Sequence, residues 1–179
     1  MRKMYLSAPL PFVGQKRMLA KEFMKVLEQY PDGTLFVDLF GGSGLLSHIT
    51  KSLKPHSTVI YNDFDNYRFR MKHIPQTNQL LADIREMVGN SVPRHKIIKG
   101  ELRERIFSRI EQEENSTGYV DFITLSSSIL FSMKYKLSVQ DMRKEALYNN
   151  IRKTGYPECT DYLEAGNRIL RLQGSIQPV

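Results

Sequence analysis

The sequence of 179 residues has an ordinary globular composition, with 41% hydrophobic and 25% charged residues, and it carries a net charge of +7. The single cysteine, Cys159, excludes an internal disulfide and a cysteine-rich zinc site, and no apolar run is long enough to span a membrane. The excess of basic residues favours a nucleic acid as partner, although an anionic surface or a merely basic exterior would share this feature.

The first 65 residues alternate helical and strand patterns. In chain order they predict a helix over 15–30, a strand over 34–40, a helix over 43–53 and a strand over 58–62. A Pro-Asp-Gly turn at 31–33 separates the first helix from the first strand. This order of elements predicts a crossover connection and a parallel sheet.

The rest of the sequence, from 66 to about 173, has mostly helical patterns. Breaks are predicted near 75, 92–93, 116–118 and 155–157. An apolar residue recurs at every fourth position at Ile98, Leu102, Ile106 and Ile110. Such a stripe indicates packing into a core. We expect a helical insertion over 84–160 and a final helix over about 158–172.

A glycine-dense turn follows the first predicted strand, at Gly41, Gly42 and Gly44. A strand that runs into such a turn, with a helix after it, is typical of nucleotide-binding α/β domains, which place the ligand at the carboxyl end of the strand. The dinucleotide fingerprint is incomplete, because Ser47 stands where its third glycine would be. No Gly-Lys-Ser/Thr phosphate loop occurs either, which argues against a nucleoside triphosphatase.

Two acids narrow the ligand further. Asp38 directly precedes the turn, where its charge would repel a pyrophosphate. Asp63 ends the second strand, where an acid can accept hydrogen bonds from ribose hydroxyls. A ligand with a ribose, a positive charge and no phosphate fits both acids, and S-adenosylmethionine is such a ligand. The alternative is that Asp38 caps a turn and Asp63 caps the next helix.

The segment before the first helix adds a third motif, Pro11-Phe-Val-Gly-Gln-Lys16. A glycine ahead of a helix start lets the backbone approach a ligand, and the helix amino terminus attracts a carboxylate. Lys16 could add a direct cationic contact. A basic loop without a ligand would explain the same residues.

The three motifs in this order resemble the Dam-like family of adenine-specific DNA methyltransferases. The other two are Phe36-Val-Asp-Leu-Phe-Gly-Gly-Ser-Gly44 and Tyr61-Asn-Asp-Phe-Asp65. The resemblance implies an α/β, Rossmann-like fold that binds S-adenosylmethionine, with Gly14 and Lys16 at the methionine end and Asp63 at the ribose. Carried over by position, the cofactor-binding residues are Phe12, Gly14, Lys16, Asp38, Phe40, Gly41, Gly42, Gly44, Asp63 and Phe64.

The same resemblance implies a mostly helical target-recognition region inserted after the early strands, which matches 84–160 in position. Its later part is basic and aromatic, and cations there would neutralise phosphates of duplex DNA. The residues expected to contact DNA are Lys134, Tyr135, Lys136, Arg143, Lys144, Arg152 and Lys153. Asn149 and Asn150 could reach base edges. A solvated helical face with amphipathic tyrosines is the alternative.

The sequence departs from the family at the catalytic motif. Adenine methyltransferases of this kind carry Asp/Asn-Pro-Pro-Tyr/Phe, whose aromatic ring and hydrogen-bond acceptors hold the target base after it leaves the stack. The eight prolines here include no Pro-Pro pair. Catalytic residues are therefore unassigned, and we expect a truncated enzyme, weakly active or inactive alone, with an incomplete sheet. An unpaired sheet edge favours self-association or a second polypeptide that completes the sheet.

These inferences divide the chain into a cofactor-binding part over 1–83, a target-recognition insertion over 84–160 and a return helix over 161–179. A non-catalytic DNA- or cofactor-binding remnant, or a partner subunit, is the alternative function. A nicotinamide-dependent oxidoreductase is disfavoured by Asp38 and by the missing glycine. We expect no metal site, and a cytoplasmic location in a prokaryote or phage.

Overall fold

The computed structural model describes residues 4–14, 16–131, 134–159, 161–163 and 169–172. Within these residues the helices are α1 (Ala20–Glu28, preceded by a 3-10 turn over Lys16–Leu19), α2 (Leu45–Leu53), α3 (Tyr67–Lys72), α4 (Ile74–Val88), α5 (Gly100–Thr117), α6 (Phe122–Ile129) and α7 (Val139–Arg143). The strands are β1 (Leu35–Asp38), β2 (Thr58–Asn62), β3 (Ile97–Ile98), β4 (Leu147–Tyr148) and β5 (Ile169–Leu172). The chain divides into two compact units, Met1–Lys72 with Glu158–Val179, and His73–Pro157.

A parallel sheet in the order β1-β2-β5 forms the centre of the first unit. Leu35 of β1 is in register with Thr58 of β2, and Val59 is in register with Ile169 of β5. Because parallel neighbours need a crossover, α2 connects β1 to β2. The predicted parallel arrangement of the first two strands is confirmed.

The third strand corrects the sequence prediction at the end of the chain. We expected a final helix over about 158–172, but Ile169–Leu172 is a strand paired with β2. The sequence Ile-Leu-Arg-Leu, with three apolar residues in four, fits a helix turn and a strand equally well, so periodicity alone could not decide. Residues 161–163 of the predicted return helix form a turn and a bend and are not helical, and 164–168 and 173–179 lie outside the described residues.

The side chains of β1 are more exposed than those of the neighbouring strand β2. The β2 side chains Val59 and Tyr61 are buried, as are Leu45 and Ile49 of α2. In β1, by contrast, Leu35 is 59% exposed, and the alternate residues after it are exposed as well. β1 lies at one edge of the described sheet, which leaves apolar surface uncovered.

The second unit combines helices α4 to α7 with a two-stranded antiparallel ribbon, β3-β4. Ile106 and Ile110 of the predicted stripe are buried in α5, which confirms that the stripe packs into a core. Ile98 is buried too, but it lies in β3, ahead of the helix.

The later part of this unit is less helical than expected. Only the five-residue α7 and the two-residue β4 are regular between residues 134 and 157 of the described chain. Leu147 of β4 pairs with Ile98 of β3, 49 positions earlier, and a pairing at such a distance leaves no local pattern. The unit begins at His73, so the expected boundary near 84 falls inside α4.

Candidate functional site

A cavity of about 410 Å³ opens in the first unit, where β1 and β2 end. Its lining brings together residues from all three motifs that were singled out in the sequence. They are Phe12, Gly14, Lys16, Leu39, Phe40, Gly41, Gly42, Ser43, Asn62, Phe64 and Asp65. Three of the ten expected cofactor contacts, Asp38, Gly44 and Asp63, do not line it.

Sterics dictate the glycines of the turn. A Cβ on Gly41 would lie 2.2 Å from the Tyr61 ring and 2.6 Å from the carbonyl oxygen of Asn62. Gly42 and Gly44 have positive φ, at 51° and 70°, which other residues rarely adopt. The Gly44 amide donates to the Gly41 carbonyl at 2.8 Å, which closes the turn ahead of α2.

Tyr61 stabilises this turn through its hydroxyl group. Its hydroxyl lies 2.6 Å from the Gly42 carbonyl and 3.1 Å from Oδ1 of Asp63, and its single hydrogen can be donated to one acceptor at a time. Burial, and then the charge of Asp63, hold the pKa of Tyr61 well above its usual value. The side chain is therefore a neutral donor that ties the glycine turn to the end of β2.

The amino-terminal segment is fixed against α3 by buried hydrogen bonds. The Leu10 amide donates to the Tyr67 hydroxyl at 2.9 Å, and the Arg70 guanidinium donates to the Pro11 carbonyl at 2.9 Å. The Phe12 ring packs edge to face on Tyr67, with centroids 5.6 Å apart. These contacts hold Phe12 and the following Gly14 at the cavity wall.

Lys16 links the first motif to the second. Its ammonium donates to the Phe40 carbonyl and lies 3.7 Å from Oδ1 of Asp38. The other Asp38 oxygen accepts a 2.7 Å hydrogen bond from the Ser47 hydroxyl. Asp38 is thus already neutralised and bound within the protein, and Ser47, which replaces the fingerprint glycine, has a specific partner.

Asp63 organises the start of α3. Its Oδ1 accepts from the Tyr67 amide at 2.6 Å, and its Oδ2 accepts from the Arg68 amide at 3.3 Å. The residue is only 2% exposed. This geometry is the helix-capping alternative for Asp63.

Several residues line the cavity although the sequence did not predict them as cofactor contacts. Asp65 and Asn62 belong to the third motif, yet only Asp63 and Phe64 were singled out there. Asp65 is exposed and has no hydrogen-bond partner among the described residues, whereas the Asn62 side chain donates to the Leu39 carbonyl at 2.9 Å. The motif itself was the available signal for both residues.

The expected DNA contacts divide into two groups in the second unit. Most of the cations are ion-paired within the protein: Lys134 and Lys136 with Glu145, Lys144 with Asp141, and Arg143 with Glu104 and Glu111. Arg152 and Lys153 are exposed and have no acidic partner among the described residues, and Tyr135 is half-buried. Asn149 and Asn150 bond to the chain itself, donating to the carbonyls of Val92 and Leu130.

The ion pairs are reflected in the pKa values of their members. Hydrogen bonds from Lys134 and then Lys136 lower the pKa of Glu145, and the bond to Glu145 raises the pKa of Lys134. Hydrogen bonds to Glu104 and then Glu111 raise the pKa of Arg143. These cations keep their charge while facing acids of the same unit.

Two kinds of feature are absent from the described residues. No helix in that part of the chain is long and apolar enough to cross a bilayer. Among the same residues no group of three or more histidines, cysteines or acids is placed to hold a metal ion.

Comparison with known proteins identifies the family. The chain is 40% identical over 167 residues to a Haemophilus influenzae protein named "Putative methyltransferase", in an alignment that covers 91% of this chain and 55% of the relative. The chain therefore spans about half the length of that relative. No solved structure matches this chain. The model of the D12 class of N6 adenine-specific DNA methyltransferases matches residues 12–157, and the chain belongs to this family.

Proposed function

We propose that the first unit binds S-adenosylmethionine, and that the protein takes part in methyl transfer to the exocyclic amine of adenine in duplex DNA. The observation that carries the proposal is the convergence of all three motifs on one cavity. Its volume of about 410 Å³ falls in the range of roughly 300–1,000 Å³ that is typical of small-molecule sites.

The chemistry of the lining suits the proposed ligand. Phe40 and Phe64 are 83% and 64% exposed beside the cavity, so their rings are available to an adenine or to the apolar parts of a ligand. Lys16 lines the cavity beside its partner Asp38, at a distance of 3.7 Å, and offers a cation that a carboxylate can share, and Asp65 offers an acceptor for hydroxyls. The cavity thus supplies a partner for each polar end of S-adenosylmethionine and apolar surface between them.

The acids at the end of β2 are proposed to hold the ribose. Asp65 acts from the cavity wall, and Asp63 carries the second carboxylate at the end of β2. Because Asp63 is buried, a hydroxyl reaches it only after a local shift of the turn between β2 and α3.

Asp38, Gly44 and Lys16 are proposed to shape the site. Asp38 and Lys16 hold each other and fix the glycine turn, while Gly44 gives α2 its start. When bound, S-adenosylmethionine supplies an activated methyl group. The residues of this chain position that ligand and exclude water around it.

Activation of the adenine amine is proposed to need groups beyond these 179 residues. The 179 residues contain no Pro-Pro pair and hence no family tetrapeptide. β1 offers an edge for a further strand, with Leu35, Val37 and Leu39 exposed along one side. We propose that a second polypeptide, or another copy of the chain, covers this edge, and that the complete sheet is the Rossmann-like fold of the family.

The remaining assignments are proposals of the same kind. The unit His73–Pro157 is proposed to be the target-recognition region and to contact DNA, and a cytoplasmic location is the natural setting for such an enzyme. A non-catalytic, cofactor-binding subunit is the second candidate function. The cavity lining would hold the cofactor in either case, so it is compatible with this candidate too.

Titration calorimetry tests the ligand. We expect binding of S-adenosylmethionine and none of NAD, because the turn lacks the third glycine and carries an acid at Asp38. Absence of heat with S-adenosylmethionine would reject the proposed ligand. A labelled-methyl assay on duplex DNA then separates an enzyme from a binding subunit, and we expect little or no transfer by this chain alone.

A further inference from the structure

The ribbon β3-β4 is formed by two segments of the second unit that contain no acidic residue. Residues 89–99 and 146–157 have no Asp or Glu, and the acids that flank them in the sequence are Glu86, Glu101, Glu145 and Glu158. The same two segments contain five cations, which we call the ribbon surface: Arg94, Lys96, Lys99, Arg152 and Lys153.

Backbone pairing brings these two segments together. The His95 amide donates to the Asn149 carbonyl at 2.9 Å, and the Asn149 amide donates to the Lys96 carbonyl at 2.9 Å. The first segment places Arg94 and Lys96 on either side of this pairing. The second segment continues from Asn149 to Arg152 within three residues.

The ribbon has a fixed inner side. Ile98 and Leu147 are fully buried, and the Asn149 side chain donates to the Val92 carbonyl at 2.7 Å. The Asn150 amide group donates to Leu130 at 3.0 Å, and its oxygen faces Nδ1 of His95 at 2.9 Å. The ribbon is therefore a braced platform rather than a loose loop.

The outer side carries the charge. All five cations of the ribbon surface are exposed, and none forms an ion pair with an acid among the described residues. The Arg152 guanidinium lies 4.7 Å from the centroid of the Tyr156 ring, which orients it without neutralising it. Exposed cations on and beside this strand pair attract a polyanion, since none of them has an acidic partner among the described residues.

The cations at 134–145 differ from those of the ribbon surface. There, Lys134, Lys136, Arg143 and Lys144 each face a carboxylate of the same unit, so a phosphate would compete with an existing partner. A phosphate that approaches the ribbon surface displaces only water and counterions.

We propose that the ribbon surface binds the phosphate backbone of the nucleic acid, and that the ion-paired lysines at 134–144 contribute less to this binding. This inference rests on the proposed function, because it names the part of the protein that engages the DNA substrate. It adds Arg94, Lys96 and Lys99 to the expected contacts, and it removes Lys134, Lys136 and Lys144 from the main ones.

Two triple variants of equal charge test the proposal. One is Arg94→Gln, Lys96→Gln and Lys99→Gln. The control is Lys134→Gln, Lys136→Gln and Lys144→Gln. Each removes three positive charges from the same unit, so a difference between them reports where the charges lie. Affinity for a duplex is measured between 50 and 200 mM salt, with melting temperature and S-adenosylmethionine binding recorded for each variant.

Each phosphate contact contributes about 0.9 to the slope of log affinity against log salt. The ribbon variant should therefore lower the magnitude of this slope by up to about 2.7 relative to the wild type. Between 50 and 200 mM salt, its affinity should then fall by a factor about 40 times smaller than the factor for the wild type. The control should change the slope by less than one contact. Equal slopes, or a larger change in the control, would overturn the assignment of the surface.

The failure of the proposed function gives a different result. If the wild-type chain binds S-adenosylmethionine but no duplex at any salt, the DNA substrate and the ribbon surface are both rejected. If the wild type binds vesicles of anionic phospholipid with higher affinity than duplex, and the ribbon variant loses that binding, the surface serves a membrane and the inference is wrong.

Discussion

Replacement of Gly41 by alanine tests the cavity most directly. The new Cβ would lie 2.6 Å from the Asn62 carbonyl and 2.2 Å from the Tyr61 ring, against an ordinary contact of 3.4 Å or more. Relief of the two contacts requires shifts of about 0.8 and 1.2 Å, since 3.4 exceeds 2.6 and 2.2 by these amounts. The Asn62 carbonyl belongs to β2, and the Tyr61 ring is buried, so the glycine turn itself must move.

Overpacking of this kind costs about 1–3 kcal/mol, which corresponds to a fall of about 2–12 °C in melting temperature for a chain of this size. A displacement of about 1 Å in the cavity wall should weaken S-adenosylmethionine binding by about 10- to 100-fold. Titration calorimetry measures the affinity, and differential scanning calorimetry measures the stability.

Gly33→Ala is the matched control. Gly33 has a φ of 98° with no atom within 4 Å of an added Cβ, and it lies outside the cavity lining. Its replacement costs about 1–2 kcal/mol of backbone strain, comparable to the Gly41 variant, without touching the site. Equal affinities for the two variants would refute the placement of the ligand against Gly41.

Three further predictions concern single side chains of the first unit. Asp65→Ala should weaken S-adenosylmethionine binding by about 10- to 150-fold with an unchanged melting temperature. Asp63→Ala should lower both the affinity and the melting temperature, because Asp63 also caps α3. An acid whose replacement leaves the affinity unchanged does not hold the ribose. Tyr61→Phe removes the hydroxyl that contacts the turn and should lower the free energy of unfolding by about 1 kcal/mol, which corresponds to about 2–4 °C in melting temperature. An unchanged melting temperature would mean that the hydrogen bonds of this hydroxyl give no net stabilisation. Val37→Lys should abolish any self-association in sedimentation experiments by placing a charge on the β1 edge, and a wild type that stays monomeric at high concentration would contradict pairing between copies.

The sequence predicted the early elements because their signals are local. The strand run before Gly41, the helix that starts after Gly44 and the strand that ends at Asn62 are all continuous patterns. The three motifs together also located the cavity, since parallel strands place their carboxyl ends at one edge of a sheet. Most of the expected cofactor residues line that cavity.

The later elements could not be predicted in the same way. Ile169–Leu172 is a strand because it pairs with β2, and Leu147 is in a strand because it pairs with Ile98. Each pairing joins residues far apart in the chain, so no window of local periodicity contains the information. Helix was the default for both segments, and it was wrong.

The three motifs and their order in the sequence therefore identified the family and the place of the glycine turn. Only the tertiary structure decided which charged groups are available to a ligand. Asp38 faces Lys16, Asp63 faces the amides of α3, and Asp65 faces the cavity. The reason is physical: a side chain's charge can be read from the sequence, but whether a partner already satisfies it depends on neighbours that folding brings together.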